Sequence, residues 1–345
     1  MRLEVRGDRI ARLPRWAREL VRLAALMVGV SLLTFALVSA SPIDPVRANV
    51  GQAAYGQMGE AKREQLARYW GSDQPFLERY AHWAKGALHG DLGMSLRFNK
   101  PVAEVVAQRA GNTLMLMAFA WVVSGVLGVS LGVIAATCRG RWPDRIVRGY
   151  CFVLSATPSF WIGLVALMVF SVALGWFPFG FSVPIGVDAA SVSLGQRIHH
   201  MVLPAATLSV VGVANVALHT REKAIDVLES DYARLARLRG ESAWEVVLHH
   251  GLRNLLGPAI ALQFSQVSEL LGGSVLVEQV FSYPGLGQAA VTAGVGGDAP
   301  LLVAIALATA LVVFAGNLVG RTLQGVLDPR IHGKRCDRAR ISRTA

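Results

Sequence analysis

Charge is scarce in this chain: Asp, Glu, Lys and Arg together make up 17% of its 345 residues, against 53% hydrophobic residues. That balance, with a mean hydropathy of +0.44, excludes an ordinary soluble domain. Cysteine is nearly missing, with Cys138, Cys151 and Cys336 scattered and forming no metal-site spacing. An odd, dispersed set argues for free thiols and against a disulfide framework. A phosphate cradle is missing too. The one Gly-Lys pair is Gly333-Lys334, and Asp328 stands where a Walker A loop needs its first glycine. No HExxH or CxxC occurs, so metalloprotease and thiol-pair chemistry has no constellation to rest on, and no catalytic residue is assigned.

What is present is length without charge. Uncharged runs at about 23–41, 110–137, 149–187, 201–218, 270–277 with its flanks, and 299–319 each supply a span of about 20 residues. The expectation is an all-α integral membrane protein with about six transmembrane helices. The third run exceeds one span, which predicts a re-entrant or surface piece after Trp176. The expected organisation is a basic N-terminus over residues 1–22, a first span over 23–41, and an outer loop over 42–109. A core of five further spans occupies 110–323, with a cytoplasmic loop inside it at 220–257, and a basic tail covers 324–345. The N-terminus resembles a secretory signal, but its apolar stretch exceeds a signal core, so the first span is expected to be retained.

The net charge of +11 invites a nucleic-acid reading, which its distribution opposes. Seven arginines precede the first span (Arg2, Arg6, Arg9, Arg12, Arg15, Arg18, Arg22), and Arg139, Arg141, Arg145 and Arg148 follow the second. Arg221, Lys223, Arg234, Arg237, Arg239 and Arg253 lie in the 220–257 loop, flanking its bend. Arg321, Arg330, Lys334, Arg335, Arg338, Arg340 and Arg343 follow the last span. These are 24 of the 34 basic residues, all on one side, whereas the alternate short loops hold Arg197 alone. The positive-inside rule predicts both termini and the 220–257 loop in the cytoplasm, with a membrane and no nucleic acid as the partner of this charge.

The most organised polar interval is residues 231–258, DYARLARLRGESAWEVVLHHGLRNLLGP. Leu228, Tyr232, Leu235 and Leu238 recur at helical spacing, with Arg234 and Arg237 on another face. That stripe is expected to anchor the first helix, leaving the arginines free for a partner. Gly240 is expected to stop the helix with positive φ. Ser242 opens a second helix, with Glu245 completing a capping box. Trp244, Val247 or Leu248, Leu252 and Leu255 give that helix its own stripe. Two short helices around a tight bend make a docking knob.

This segment resembles the "EAA" loop by which permease subunits of bacterial ABC importers engage their ATPases, and more narrowly the peptide/nickel class of those permeases. In that class the motif often begins with Arg, here Arg234, six residues before Gly240; Ala236 lies four before it and Pro258 eighteen after. The likeness continues through LRN at 252–254, LLGGSVLVEQVFSYPGLG at 270–287 and DPR at 328–330. Upstream it takes in GDLGMS at 90–95, PSFWIGL at 158–164 and LPA at 203–205. SPIDP at 41–45 departs from the family's PGDP-like turn. The resemblance implies a type I importer fold in the bacterial inner membrane. It implies as partners a second permease, two cytoplasmic ABC ATPase subunits or domains that bind ATP and Mg, and an extracytoplasmic solute-binding protein. The chain itself needs no cofactor. ATPase coupling falls to Asp231, Tyr232, Arg234, Ala236, Arg237, Gly240, Glu245, Arg253, Asn254 and Pro258. The implied cargo is di- or oligopeptides, or nickel and related metal chelates. A secondary transporter or channel without ATP is the alternative, and it leaves the knob without a purpose.

Residues elsewhere carry weaker expectations. Glu269 and Glu278 flank LLGGSVLV, and ionisable groups at membrane depth are functional candidates. Nine residues apart, they do not share one site on a straight helix. Glu269 is expected deeper, lining the pathway or pairing with a partner subunit, and Glu278 interfacial and structural. Gly272 and Gly273 suit a hinge or close packing, and Pro158 a kink in the third span. Gly125, Gly128 and Gly132 predict close helix packing. In the outer loop, 59–68 and 74–88 read as amphipathic helices, with Phe76, Tyr80 and Trp83 suited to the headgroup zone. The Gly90–Gly93 turn either meets a binding protein or forms a lip over the bundle. His199-His200 and His249-His250 are adjacent ring pairs that diverge on a helix, so interface or capping roles outweigh metal ligation.

Overall fold

The computed structural model describes residues 14–69, 75–184, 186–187 and 191–327. The expected DPR at 328–330, the basic tail, Cys336 and most of the leading arginines lie outside the described residues. Among the described residues all regular elements are helical. They are α1 (Arg15–Ala40), α2 (Pro45–Val50), α3 (Gln52–Gln57), α4 (Glu60–Tyr69), α5 (Phe76–Leu88), α6 (Val102–Thr137) and α7 (Trp142–Ala156). There follow α8 (Ser159–Ala173, π-helical from Leu167), α9 (Leu194–Leu228) and α10 (Asp231–Leu238). Last come α11 (Ala243–Ser265, π-helical over Val246–Gly251), α12 (Val267–Val280), α13 (Leu286–Gly296) and α14 (Ala299–Leu327).

Four helices, α1, α6, α9 and α14, are long and apolar enough to cross a membrane singly. Two further spans arise if each bent pair counts as one: α7 with α8, bent by 104°, and α11 with α12, bent by 54°. Six spans therefore match the six apolar runs. The α7–α8 break falls at Thr157-Pro158, where proline both starts α8 and forbids the residue before it an easy helical conformation. The fourth span is longer than its apolar run, because α9 continues through Thr220–Leu228 and carries Pro204 inside it.

The chain divides into two compact units. The first comprises residues 1–111 and 285–314. Here Phe35 of α1 is buried against the rings of Phe76, Tyr80 and Trp83, with centroids 5.9, 5.6 and 6.3 Å away. The expected headgroup aromatics of α5 thus pack inward on α1; aromatic periodicity says which residues share a face but not what that face meets. Asp298 is fully buried and accepts from Ser95 Oγ at 2.6 Å and from the Arg97 and Leu301 amides. The 90–93 turn forms as expected, with φ +87° at Gly90 and +86° at Gly93 and the Gly93 amide bound to Asp91.

The second unit comprises residues 112–284 and 315–345. Its α6 and α9 approach closely at the expected small residues. A Cβ on Gly128 would lie 2.6 Å from Cβ of Val216, and one on Gly132 2.6 Å from the Ala217 carbonyl oxygen, distances no side chain tolerates. Asp144 at the start of α7 is buried and receives both Nε and Nη2 of Arg221 of α9, at 2.6 and 2.9 Å. This bidentate pair joins two elements that the sequence reading left unconnected.

Candidate functional site: a helical knob and a polar cavity

The knob forms from local rules. Ser230 precedes α10, which closes at Gly240 with φ +93°, the conformation expected of it. The Gly240 amide donates to Arg237 and the Glu241 amide to Ala236, satisfying carbonyls left over at the helix end. Ser242 and Glu245 form the expected capping box: Ser242 Oγ accepts from the Glu245 amide at 3.3 Å, and Glu245 Oε2 from the Ser242 amide at 2.7 Å. The helix then widens into the π-turn at Val246–Gly251 before α11 continues. Gly251 allows this, since a Cβ there would meet Cγ1 of Val227 at 2.8 Å.

The large apolar residues of α10 face the other way from that expected, while Arg234 and Arg237 are exposed as expected. α10 packs through Ala233, 0% exposed, and Ala236 against Val246 and Leu228. Tyr232, Leu235 at 61% and Leu238 at 80% exposure face outward with Arg234 and Arg237. On α11, Trp244 is also exposed, and Val247 and Leu255 are the buried anchors. Only methyl-sized side chains fit where α10 meets Val246, so the larger apolar residues turn out. An apolar stripe shows that a helix has a partner, not that the partner is in the same chain. Tyr232 Oη accepts from Asn254 Nδ2 at 3.4 Å, Arg253 is exposed, and Pro258 sits half-buried within α11. Pro258 leaves the Asn254 carbonyl without its helical donor. All ten sequence-predicted coupling residues thus belong to one assembly of α10, the bend and α11.

Three of the paired histidines have local partners. His250 Nε2 lies 3.0 Å from Glu241 Oε2, His200 Nδ1 is 2.9 Å from the Gly180 carbonyl oxygen, and His199 Nε2 is 3.0 Å from that of Trp176.

The five residues expected at a pathway or hinge separate. Glu269, Gly272 and Gly273 line a cavity of 260 Å³ bordered by α6, α9 and the α11–α12 break. Glu269 is exposed toward it rather than buried. Pro158 starts α8, and its neighbour Ser159 reaches the cavity wall. Glu278 is 0% exposed and accepts from Thr113 Oγ1 of α6 at 2.7 Å. Its partner is 165 residues away in sequence, so no local pattern announces it. Nearby Tyr283 is buried, and that burial, aided by the charge of Glu278, pushes its phenol up to about 12. Sequence reasoning missed Asn215, Gln263 and Gln266, which also line the cavity. The three-residue spacing of Gln263, Gln266 and Glu269, one polar stripe at helical period, was the available signal.

Comparison with known proteins agrees with this architecture. Residues 128–333 match the family described as the binding-protein-dependent transport system inner membrane component. The chain is 35% identical over 309 residues to the oligopeptide transport system permease protein AppB of Bacillus subtilis (strain 168), covering 89% of this chain and 95% of that protein. It is 37% identical over 317 residues to the glutathione transport system permease protein GsiC of Escherichia coli (strain K12), covering 92% and 98%.

Proposed function

Since this chain belongs to the family of inner-membrane components of binding-protein-dependent transport systems, a family of permease subunits rather than enzymes, we propose that it forms half of the membrane pathway of an ATP-driven importer of short peptides. It is a multi-pass membrane protein. The peptide cargo is supported by the oligopeptide and glutathione permeases it resembles. Nickel, expected on equal terms from the sequence, finds no support among these relatives.

One observation carries the coupling role: Tyr232, Leu235, Leu238 and Trp244 stand exposed around a bend fixed by Gly240. An ATPase subunit that received this apolar and arginine-edged surface in a groove would move α10 and α11 as it closes on ATP. The capping box fixes the entry into α11, which is continuous from Ala243 to Ser265, so displacement reaches the break at Gln266. In this reading the termini and the knob are cytoplasmic, as the arginine distribution favours. A second permease completes the pathway, two ATPase subunits or domains bind ATP and Mg, and a solute-binding protein delivers cargo to the outer face. The test is uptake of a labelled tripeptide by vesicles reconstituted with both permeases, the ATPases and the binding protein. Accumulation must require both ATP and the binding protein. Uptake driven by an ion gradient without ATP would refute the proposal.

A further inference from the structure

The coupling role makes no use of the chemistry of the 260 Å³ cavity. Among the described residues Glu269 is the one ionisable side chain on its wall, and no Lys, Arg or His lines it. Gln263 is already engaged, donating to the Trp121 carbonyl at 2.8 Å and lying 3.1 Å from Ser124 Oγ. By contrast, the side chains of Glu269, Gln266, Asn215 and Ser159 find no hydrogen-bond partner among the described residues. On the same wall, the indole N–H of Trp121 is buried without an acceptor. The cavity is open on one side, with Glu269 exposed and Gln266, Asn215 and Ser159 half-buried, so these groups are free to meet a ligand.

The set of unsatisfied groups describes its ligand. A lone carboxylate asks for one cation, and carboxamides, which both donate and accept, match peptide bonds. A wall without a basic residue offers nothing to a ligand's own carboxylate. The volume falls just short of the ~300–1,000 Å³ usual for whole small-molecule pockets, so it takes one end of a ligand. Leu208 and Leu276 supply an apolar side, and Gly272 leaves open space where a Cβ would stand.

We propose that this cavity is a station on the transport path that binds the amino end of a short peptide, with Glu269 holding its ammonium group and Gln266 and Asn215 its first peptide bonds. The inference rests on the peptide-importer reading and adds the group that is recognised inside the membrane subunit. It also gives the α11–α12 break a consequence. Gln263 and Gln266 lie on the α11 side of the bend and at its corner, and Glu269 on α12, so movement of α11 by the knob would part the amide contacts from the carboxylate and release the peptide.

The experiment uses the complete importer with Ser159→Cys as a reporter in the cavity wall. Cationic trimethylammonium-ethyl methanethiosulfonate should modify it about tenfold faster than the anionic sulfonatoethyl reagent. Glu269→Gln should bring that ratio near one, and Glu269→Asp should keep most of it. Trialanine should slow the modification, N-acetyl-trialanine should not, and this protection should vanish in Glu269→Gln. ATP-driven trialanine uptake should fall about tenfold in Glu269→Gln with the complex still assembled. Equal rates for the two reagents in the parent, or equal protection by both peptides, would overturn the proposal. So would a Glu269→Gln importer that transports as the parent does, or one that loses its second permease. If the parent importer takes up no peptide with ATP and binding protein present, the peptide-importer reading itself fails; intact uptake without the Glu269 effects removes the cavity assignment alone.

Discussion

Truncating Leu238 to alanine separates docking from folding in the knob. The side chain is 80% exposed, so the folded subunit has little to lose from its removal. An ATPase groove that buries it has more. Alanine deletes three carbons, worth about 2.4 kcal/mol at ~0.8 kcal/mol per buried methylene-sized group. Four-fifths of that, about 2 kcal/mol, becomes available only on docking, and about 1.4 kcal/mol per tenfold converts it to a roughly 30-fold weaker ATPase affinity. Leu235, at 61% exposure, should lose about 1.5 kcal/mol, or roughly tenfold, by the same arithmetic. The assay is titration of purified ATPase subunits onto the permease pair in nanodiscs, beside thermal melting of each variant. Ala233→Leu is the opposite control: it overfills a position that is 0% exposed, so it should lower the melting temperature first. If Leu238→Ala destabilises the isolated subunit and leaves ATPase affinity unchanged, the assignment of the faces is wrong.

Gly240→Val places a β-branched side chain at φ +93°; with nothing within 4 Å of its Cβ, the cost is backbone strain of about 1–2 kcal/mol rather than a clash. The expected result is an inserted protein that retains its ATPase poorly in co-purification and transports nothing. Single cysteines at positions 91 and 184 should react with an impermeant thiol reagent on intact cells, and one at 240 should not. Asp144→Ala leaves Arg221 without its bidentate partner in a buried setting, so stability in detergent should fall by about 3–5 kcal/mol, whereas replacing both residues with methionine should cost less.

Local features were legible in the sequence. Gly240, the Ser242–Glu245 box and the break at Pro158 each depend on a few neighbouring residues and take the expected conformations. Four apolar runs likewise became single long helices, and counting each bent pair as one span gives six, because span length is set by the bilayer and not by packing. What failed was direction. The Tyr232–Leu235–Leu238 stripe was visible, but its outward orientation follows from the methyl-sized gap between α10 and Val246, which is tertiary. The packing of Phe76, Tyr80 and Trp83 on Phe35 was hidden for the same reason, their partner being some forty residues earlier. The Thr113–Glu278 and Asp144–Arg221 pairs span 165 and 77 residues, so each partner alone looked like a stray polar group. The cavity needed the bend at Gln266 to turn a periodic stripe into one wall of an open pocket.

The central claim is that the exposed apolar face of α10 is the surface on which an ATPase acts. A photoreactive benzoylphenylalanine at position 238, irradiated in the assembled importer, tests it at the residue concerned. The account predicts a covalent adduct with an ATPase subunit whose yield changes between the nucleotide-free and ATP-bound states. An adduct confined to this chain, to the second permease or to lipid in both states would contradict it.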